Sequence, residues 1–251
     1  MSKLSQIRIG VLMKFVDILN EGINDKYLFK AIFLAGGPGS GKSFITRNMF
    51  GGIPAKIINS DDIFEYKLKK NNISFNIDNK KIDTYKKQME HRGKAKELIS
   101  AKQNLFVDGM LPIIIDGTGR DYKLITEKQK ALEAMGYDTG MVFVNTSLDV
   151  ALERNKKRKR TVNPTFVKKA WNDVQTNMGK FQNKFKQYFK IVDNNHILDK
   201  EGLEKLGISL HRSALKFFNS KLKNKKGHNT IELLKNIGGK YLHDLPKGII
   251  E

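Results

Sequence analysis

Ala31-Ile-Phe-Leu-Ala35-Gly-Gly-Pro-Gly-Ser-Gly41-Lys42-Ser43 decides the fold. A short apolar run closed by glycines reads as a buried strand. The eight residues from Gly36 match G-x-x-x-x-G-K-[ST], in which backbone N–H groups curl around a phosphate chain. Gly36, Gly37, Pro38, Gly39, Ser40 and Gly41 form that cradle, Lys42 reaches the outer phosphates, and Ser43 holds Mg²⁺. Residues 42–50 follow as the start of a helix, which puts the anion at a helix N-terminus. Strand, loop and helix in that order predict an α/β fold that binds nucleotide phosphate.

Outward from the loop, strands and helices alternate. Residues 55–59 read as a second strand running into Ser60-Asp61-Asp62. A polar stretch continues to about residue 79, and a long basic helix is expected over 80–103. Residues 112–116 are a third strand ending in Asp116, followed by Gly117-Thr118-Gly119-Arg120. Asp121 caps a helix to about residue 135, and Gly136 stops it. Residues 140–145 form a fourth strand, and Ser147 caps a helix over 148–160. Asn163-Pro164 opens another helix, in which Val167, Trp171, Val174, Met178, Phe181 and Phe185 make a core-facing stripe. Residues 188–192 are the fifth strand. Residues 7–20 read as an amphipathic helix. Residues 208–224 and 230–237 also read as helices, the last opened by an Asn229…Glu232 capping pair. Alternation of this kind predicts a parallel sheet with right-handed crossovers and helices on both faces.

The 251 residues, 39% of them hydrophobic, suffice for one α/β domain with appendages. There is no cysteine, which excludes disulfides, thiolate metal sites and cysteine nucleophiles. No apolar run approaches the ~20 residues of a membrane span, and the N-terminus does not read as a signal peptide. The expected location is cytoplasmic. The net charge of +20 suits contact with nucleic acid or another polyanion. Abundant lysine, asparagine and isoleucine also fit a coding bias toward A and T. Only eight of the 46 basic residues are arginine, and Arg154, Arg158 and Arg160 fall within seven positions. Arginine clustered where lysine is the default suggests bidentate phosphate recognition.

Sites in open parallel sheets gather at the carboxyl ends of the strands. That rule brings the loop, Asp61 and Asp62, Asp116 and Arg120, and the arginine cluster together. Asp116 is expected to hold Mg²⁺, with a turn aspartate as the plainer role. Asp61 is the candidate base for an acceptor hydroxyl, with Asp62 next to it and helix capping as the alternative role. Arg154 and Arg158, spaced i and i+4, are expected to share one helix face and close on the phosphates with Arg160 beyond them. A solvated basic run is the plainer alternative.

The loop, Asn59-Ser-Asp61-Asp62, Ile114-Ile-Asp116-Gly-Thr118-Gly-Arg120 and Arg154…Arg158…Arg160 resemble the zeta-toxin and polynucleotide-kinase group of P-loop kinases. The resemblance spans roughly residues 30–195. It implies a five-stranded sheet of order 2-3-1-4-5, ATP with Mg²⁺, and phosphoryl transfer to a hydroxyl. It favours Asp61 as base and implies acceptor-binding roles for Thr118 and Arg120. Three segments follow: an N-terminal helix (1–29), a kinase domain (30–195) and a helical extension (196–251). The extension is expected to pack on the body or bind a protein partner. The sequence departs from the polynucleotide kinases at Phe64, where that group carries an arginine. It departs from the zeta toxins at Asp116, where they carry glutamate. The leading expectation is a kinase for a nucleotide-sugar or similar small molecule. A polynucleotide 5′-hydroxyl kinase, or a nucleotide-binding protein with little turnover, are the alternatives.

Overall fold

The computed structural model describes residues 27–75, 82–158, 161–195 and 200–244. The predicted helix over 7–20 lies outside them. Five strands, β1 (Lys30–Ala35), β2 (Lys56–Ile58), β3 (Ile113–Asp116), β4 (Asp138–Asn145) and β5 (Phe189–Asp193), form one sheet. Its order is β2-β3-β1-β4-β5, with every pairing parallel. Fold class and strand order therefore agree with expectation.

The helices are α1 (Lys42–Phe50), α2 (Ser60–Lys70), α3 (Ile82–Asp108), α4 (Tyr122–Ala134), α5 (Leu148–Lys156), α6 (Pro164–Phe185), α7 (Lys200–Phe218) and α8 (Lys225–Asp244). All six residues of β1 are buried, as a central strand covered on both sides requires. Strand alternation divides the core. Ala31, Phe33 and Ala35 join Ile113, Ile115, Met141 and Phe143 on one face, packed against Val174, Phe181 and Phe185 of α6. Ile32 and Leu34 join Ile114, Val142 and Val144 on the other, packed against α1 and against Leu210, Ala214, Phe217 and Phe218 of α7. Each fully buried side chain of this size contributes roughly 1.5–3 kcal/mol.

Several boundaries differ from the sequence reading. The polar stretch after Asp62 is helical as far as Lys70: Asn59 caps α2, and Phe64 and Leu68, four apart, bury against Ala95 of α3. β4 begins two residues early because buried Asp138 is held there by the Lys30 ammonium at 2.8 Å. The helix capped by Ser147 ends at Lys156, not at residue 160. Its last turn is stopped by Asn155, whose side chain donates to the Val162 carbonyl at 2.6 Å and accepts from the Val162 N–H at 3.1 Å. α8 starts at Lys225, where Asn224 Oδ1 accepts from the N–H groups of Lys226 and Gly227. Asn229, the expected cap, therefore lies inside the helix. Among the described residues no helix is long and apolar enough to cross a membrane.

Candidate active site

The residues after β1 make the cradle. Gly39 and Gly41 take φ of 82° and 86°, a region that costs a side-chain-bearing residue strain. A Cβ on Gly39 would collide with the Ala151 carbonyl, and one on Gly41 with the Asn194 amide. The loop is tied on both sides. Gly36 N–H donates to the Thr118 carbonyl at 2.9 Å, and Asn194 Nδ2 donates to the Ser40 carbonyl at 2.7 Å. Lys42 folds back over the loop, its Nζ donating to the Gly36 carbonyl at 2.6 Å.

Two polar atoms beside this loop are buried with no hydrogen-bond partner, Arg154 Nη1 and Ser40 Oγ. Arg154 Nη1 lies 3.6 Å from where a Gly41 Cβ would sit. An unsatisfied buried donor costs roughly 1–3 kcal/mol, more when charged. A phosphate chain in the cradle removes that cost by accepting from the guanidinium. The residues thus fit a nucleotide phosphate.

The acidic side is organised by Asn59. Its Oδ1 accepts from Asp61 N–H at 2.8 Å, capping α2, while its Nδ2 donates to Asp116 Oδ2 at 3.0 Å. One amide thereby fixes the end of β3 against the first turn of α2. Burial raises the Asp116 carboxyl above its ordinary range, Lys42 opposes that, and Asp62 and Asp61 add to it. Burial likewise lowers the Lys42 ammonium; Asp116 and Asp61 counter it and Arg158 reinforces it. Asp62 is raised by its own desolvation, then by Glu65 and Asp61. The charges of Asp116, Asp61 and Arg158 thus bear on Lys42, and those of Lys42, Asp62 and Asp61 on Asp116. Among the described residues no group of three or more His, Cys, Asp or Glu is arranged to hold a metal by itself. Ser43 and Asp116 suit a cation that keeps waters and leans on substrate phosphates.

The arginines divide differently from the sequence reading. Arg154 is on α5, against Gly41. Arg158 is not on that helix: it sits in the turn beyond, its N–H donating to the Asn155 carbonyl at 3.3 Å. The two do not share a helix face, because the Asn155–Val162 bridge bends the chain before a further turn can form. Arg160 lies outside the described residues. Gly36 to Ser43, Lys42, Asp61, Asp62, Asp116 and Arg154 do converge at the carboxyl end of the sheet.

Thr118 is exposed there, and Arg120 is already engaged. Its Nε and Nη2 donate to Asp173 Oδ2 at 3.1 and 2.9 Å, and its guanidinium lies 4.8 Å from the centre of the Phe166 ring. Asn177 Nδ2 holds the carbonyls of Gly119 and Arg120 at 3.1 and 2.8 Å. Sequence reasoning quoted Asn59 within a motif without giving it a role, and it missed Asn194, Asp173 and Asn177. The partners of those three lie more than 50 residues away along the chain, a relation that leaves no local spacing to read. Phe64, at the position of the missing arginine, is buried under Arg92, whose guanidinium lies 5.6 Å from its ring centre.

Residues 32–180 match the model of a family described as AAA domain. A YbbR-like domain-containing protein of Borreliella burgdorferi is 29% identical over 208 residues, 78% of this chain; the chain spans 58% of that protein's length. A candidate kinase from Chloroflexus aurantiacus J-10-fl has a similar structure, with a TM-score of 0.50 and 12% identity, over 73% of this chain and 97% of that one. The AvrRxo1-ORF1:AvrRxo1-ORF2 structure with sulphate ions gives a TM-score of 0.53 at 11% identity, over 90% of this chain and 89% of its own. At such identities these structures speak for the fold alone.

Proposed function

The chain belongs to the AAA domain family, and from that premise we propose that it is an ATP-dependent kinase that phosphorylates a hydroxyl of a nucleotide-sugar or related small molecule. The observation that carries the proposal is the pair of acids that Asn59 gathers at the carboxyl end of the sheet: its side chain donates to Asp116 Oδ2 at 3.0 Å and accepts from Asp61 N–H at 2.8 Å, with Lys42 within reach of both charges. A protein that only bound a metal-nucleotide would need one of these carboxylates, for the metal; the second has no part in binding alone. A kinase uses them: one for metal, one to orient the acceptor and take its proton.

In this reading Gly36 to Ser43 and Arg154 hold the triphosphate of ATP. Ser43 and Asp116 would hold Mg²⁺, which would supply charge neutralisation on the phosphates. Lys42 exchanges its hydrogen bond to the Gly36 carbonyl for one to the donor's phosphate oxygens. Asp61 accepts the acceptor's hydroxyl proton as the hydroxyl oxygen attacks the γ-phosphorus, and the bond from that phosphorus to the β,γ-bridging oxygen breaks to release ADP. Arg158, and Arg160 beyond it, neutralise charge on the transferring group, an effect on the order of 10³–10⁵ in rate where an arginine does this. Asp62, Thr118 and Arg120 border the acceptor, and Asp173 and Phe166 orient Arg120. A nucleotide-sugar suits a site edge with a positioned guanidinium and an exposed aromatic ring, which together can take a phosphate and a planar base.

The test is transfer of label from γ-labelled ATP to sugar nucleotides and, in a parallel arm, to 5′-hydroxyl oligonucleotides, with Lys42→Ala as control. Label on a sugar nucleotide, lost in the control, is expected. Label on the oligonucleotide alone would replace the acceptor class with a polynucleotide. ATP binding without transfer to either would overturn the kinase reading in favour of a nucleotide-binding protein with little turnover.

A further inference from the structure

We propose that the solvent face of α7 binds the phosphodiester backbone of a nucleic acid, at a surface separate from the cleft. From Lys205 to Ile231 the chain has seven lysines and arginines and no aspartate or glutamate. α7 buries Leu210, Ala214, Phe217 and Phe218 against the sheet. Its opposite side carries an open groove of about 530 Å³ lined by Lys205, Ile208, Ser209, Arg212, Ser213 and Lys216. Lys205, Arg212 and Lys216 are exposed. A second groove of about 440 Å³ meets the first at Ile208 and Arg212, and there Glu204 brings a carboxylate to its wall.

The run without an acid is what sets this face apart. Some exposed lysines meet a glutamate one turn away: Lys94 with Glu90, Lys123 with Glu127, Lys157 with Glu153 and, at the first turns of α7 itself, Lys205 with Glu201. Arg212 and Lys216 stand four apart with each other. A like-charged pair at that spacing weakens a helix. Neither forms an ion pair with a carboxylate among the described residues. Two hydroxyls, Ser209 and Ser213, lie between these cations on the groove wall. Lysine, arginine and serine together are the side chains that contact phosphate and sugar without reading sequence. The twelve residues from Lys205 to Lys216 extend roughly 16 Å, enough to follow about five phosphates of one strand. A polyanion of regular charge spacing fits this row, and the net charge of +20 would steer it there.

The experiment is fluorescence anisotropy of the full chain with a labelled DNA of about twenty nucleotides, single-stranded and as duplex, across a salt series. Binding is expected to at least one form. The double variant Arg212→Glu/Lys216→Glu should weaken it about tenfold and flatten the slope of log affinity against log salt by about 1.5, two phosphate contacts' worth. The neutral pair Arg212→Gln/Lys216→Gln should fall between. Lys86→Glu/Lys87→Glu, the same charge change on exposed positions of α3, should move affinity less than about twofold. Unchanged thermal unfolding keeps the comparison fair. Equal losses in the α7 and α3 variants would overturn the proposal, since binding would then follow net charge. So would failure to bind either DNA form, or tighter binding to polyglutamate than to DNA, which would assign the face to an acidic protein. The result does not depend on whether the cleft phosphorylates anything.

Discussion

Asn59 shows how much one side chain can decide. Its two ends hold Asp61 N–H and Asp116 Oδ2, so the backbone at the start of α2 and the carboxylate at the end of β3 are tied to one amide. In the proposed mechanism Asp61 is the base and Asp62 borders the acceptor. The Asp61 charge bears on Lys42 as well as on Asp116, and Asp62 is itself raised, first by burial and then by Glu65. Asp61→Asn should therefore reduce phosphoryl transfer by about 10²–10⁴ while ATP affinity stays within a few-fold, and Asp62→Asn should cost far less. Single-turnover rates beside equilibrium ATP binding check this, and a reversed order would move the role to Asp62.

At the scale of elements, the informative case is the end of α5. Basic residues continue without interruption through residue 160, and periodicity alone carries the helix that far. Asn155 ends it sooner by closing a two-hydrogen-bond bridge to Val162. Arg154 is left on a rigid helix beside the loop and Arg158 on a turn. Asn155→Ala should free that turn, lowering kcat about tenfold or more while thermal unfolding drops by only a few degrees. Steady-state kinetics and a melting curve measure the two together; a large stability loss with unchanged kcat would make the bridge structural only. α2 teaches the complementary lesson. Its sequence is polar and lysine-rich, yet two apolar residues one turn apart, Phe64 and Leu68, suffice to seat it on α3.

The whole molecule is closed from the other end of the sheet. Lys30, fully buried on β1, pairs with Asp138 on β4 and donates to Ser220 after α7 at 3.1 Å. Asp138 also accepts from the N–H groups of Lys223 and Asn224 at 3.0 and 2.9 Å. Burial lowers the Lys30 ammonium and Asp138 opposes that. This network ties the start of the two central strands to the junction of α7 and α8. Asp138→Asn leaves Lys30 buried without its anion, a change that typically costs about 3–5 kcal/mol. Denaturant unfolding should show a loss of that order, and a loss below about 1 kcal/mol would mean that Lys30 is neutral in the fold.

The phosphate loop, the alternation of strands and helices, the caps Asp121, Ser147 and Asn163, and the core stripe of α6 were legible because each is local. Backbone preference, side-chain capping and hydrophobic period act between residues a few positions apart. The sequence by itself therefore determined a parallel α/β sheet with a phosphate cradle and a set of acids and arginines at one edge. Tertiary structure decided what those residues touch. Asn59 on Asp116, Asp173 on Arg120, Asn194 on the loop and Asn155 on Val162 join side chains to partners that the chain brings near only on folding. The second sheet face was completed by α7: of the two roles expected for the extension, packing on the body or binding a protein partner, the first is the one its apolar side takes, and only folding shows which sheet residues it covers. The physical reason is the same throughout. A hydrogen bond or a buried contact between distant residues leaves no period in the sequence, because its geometry exists only once the strands have paired.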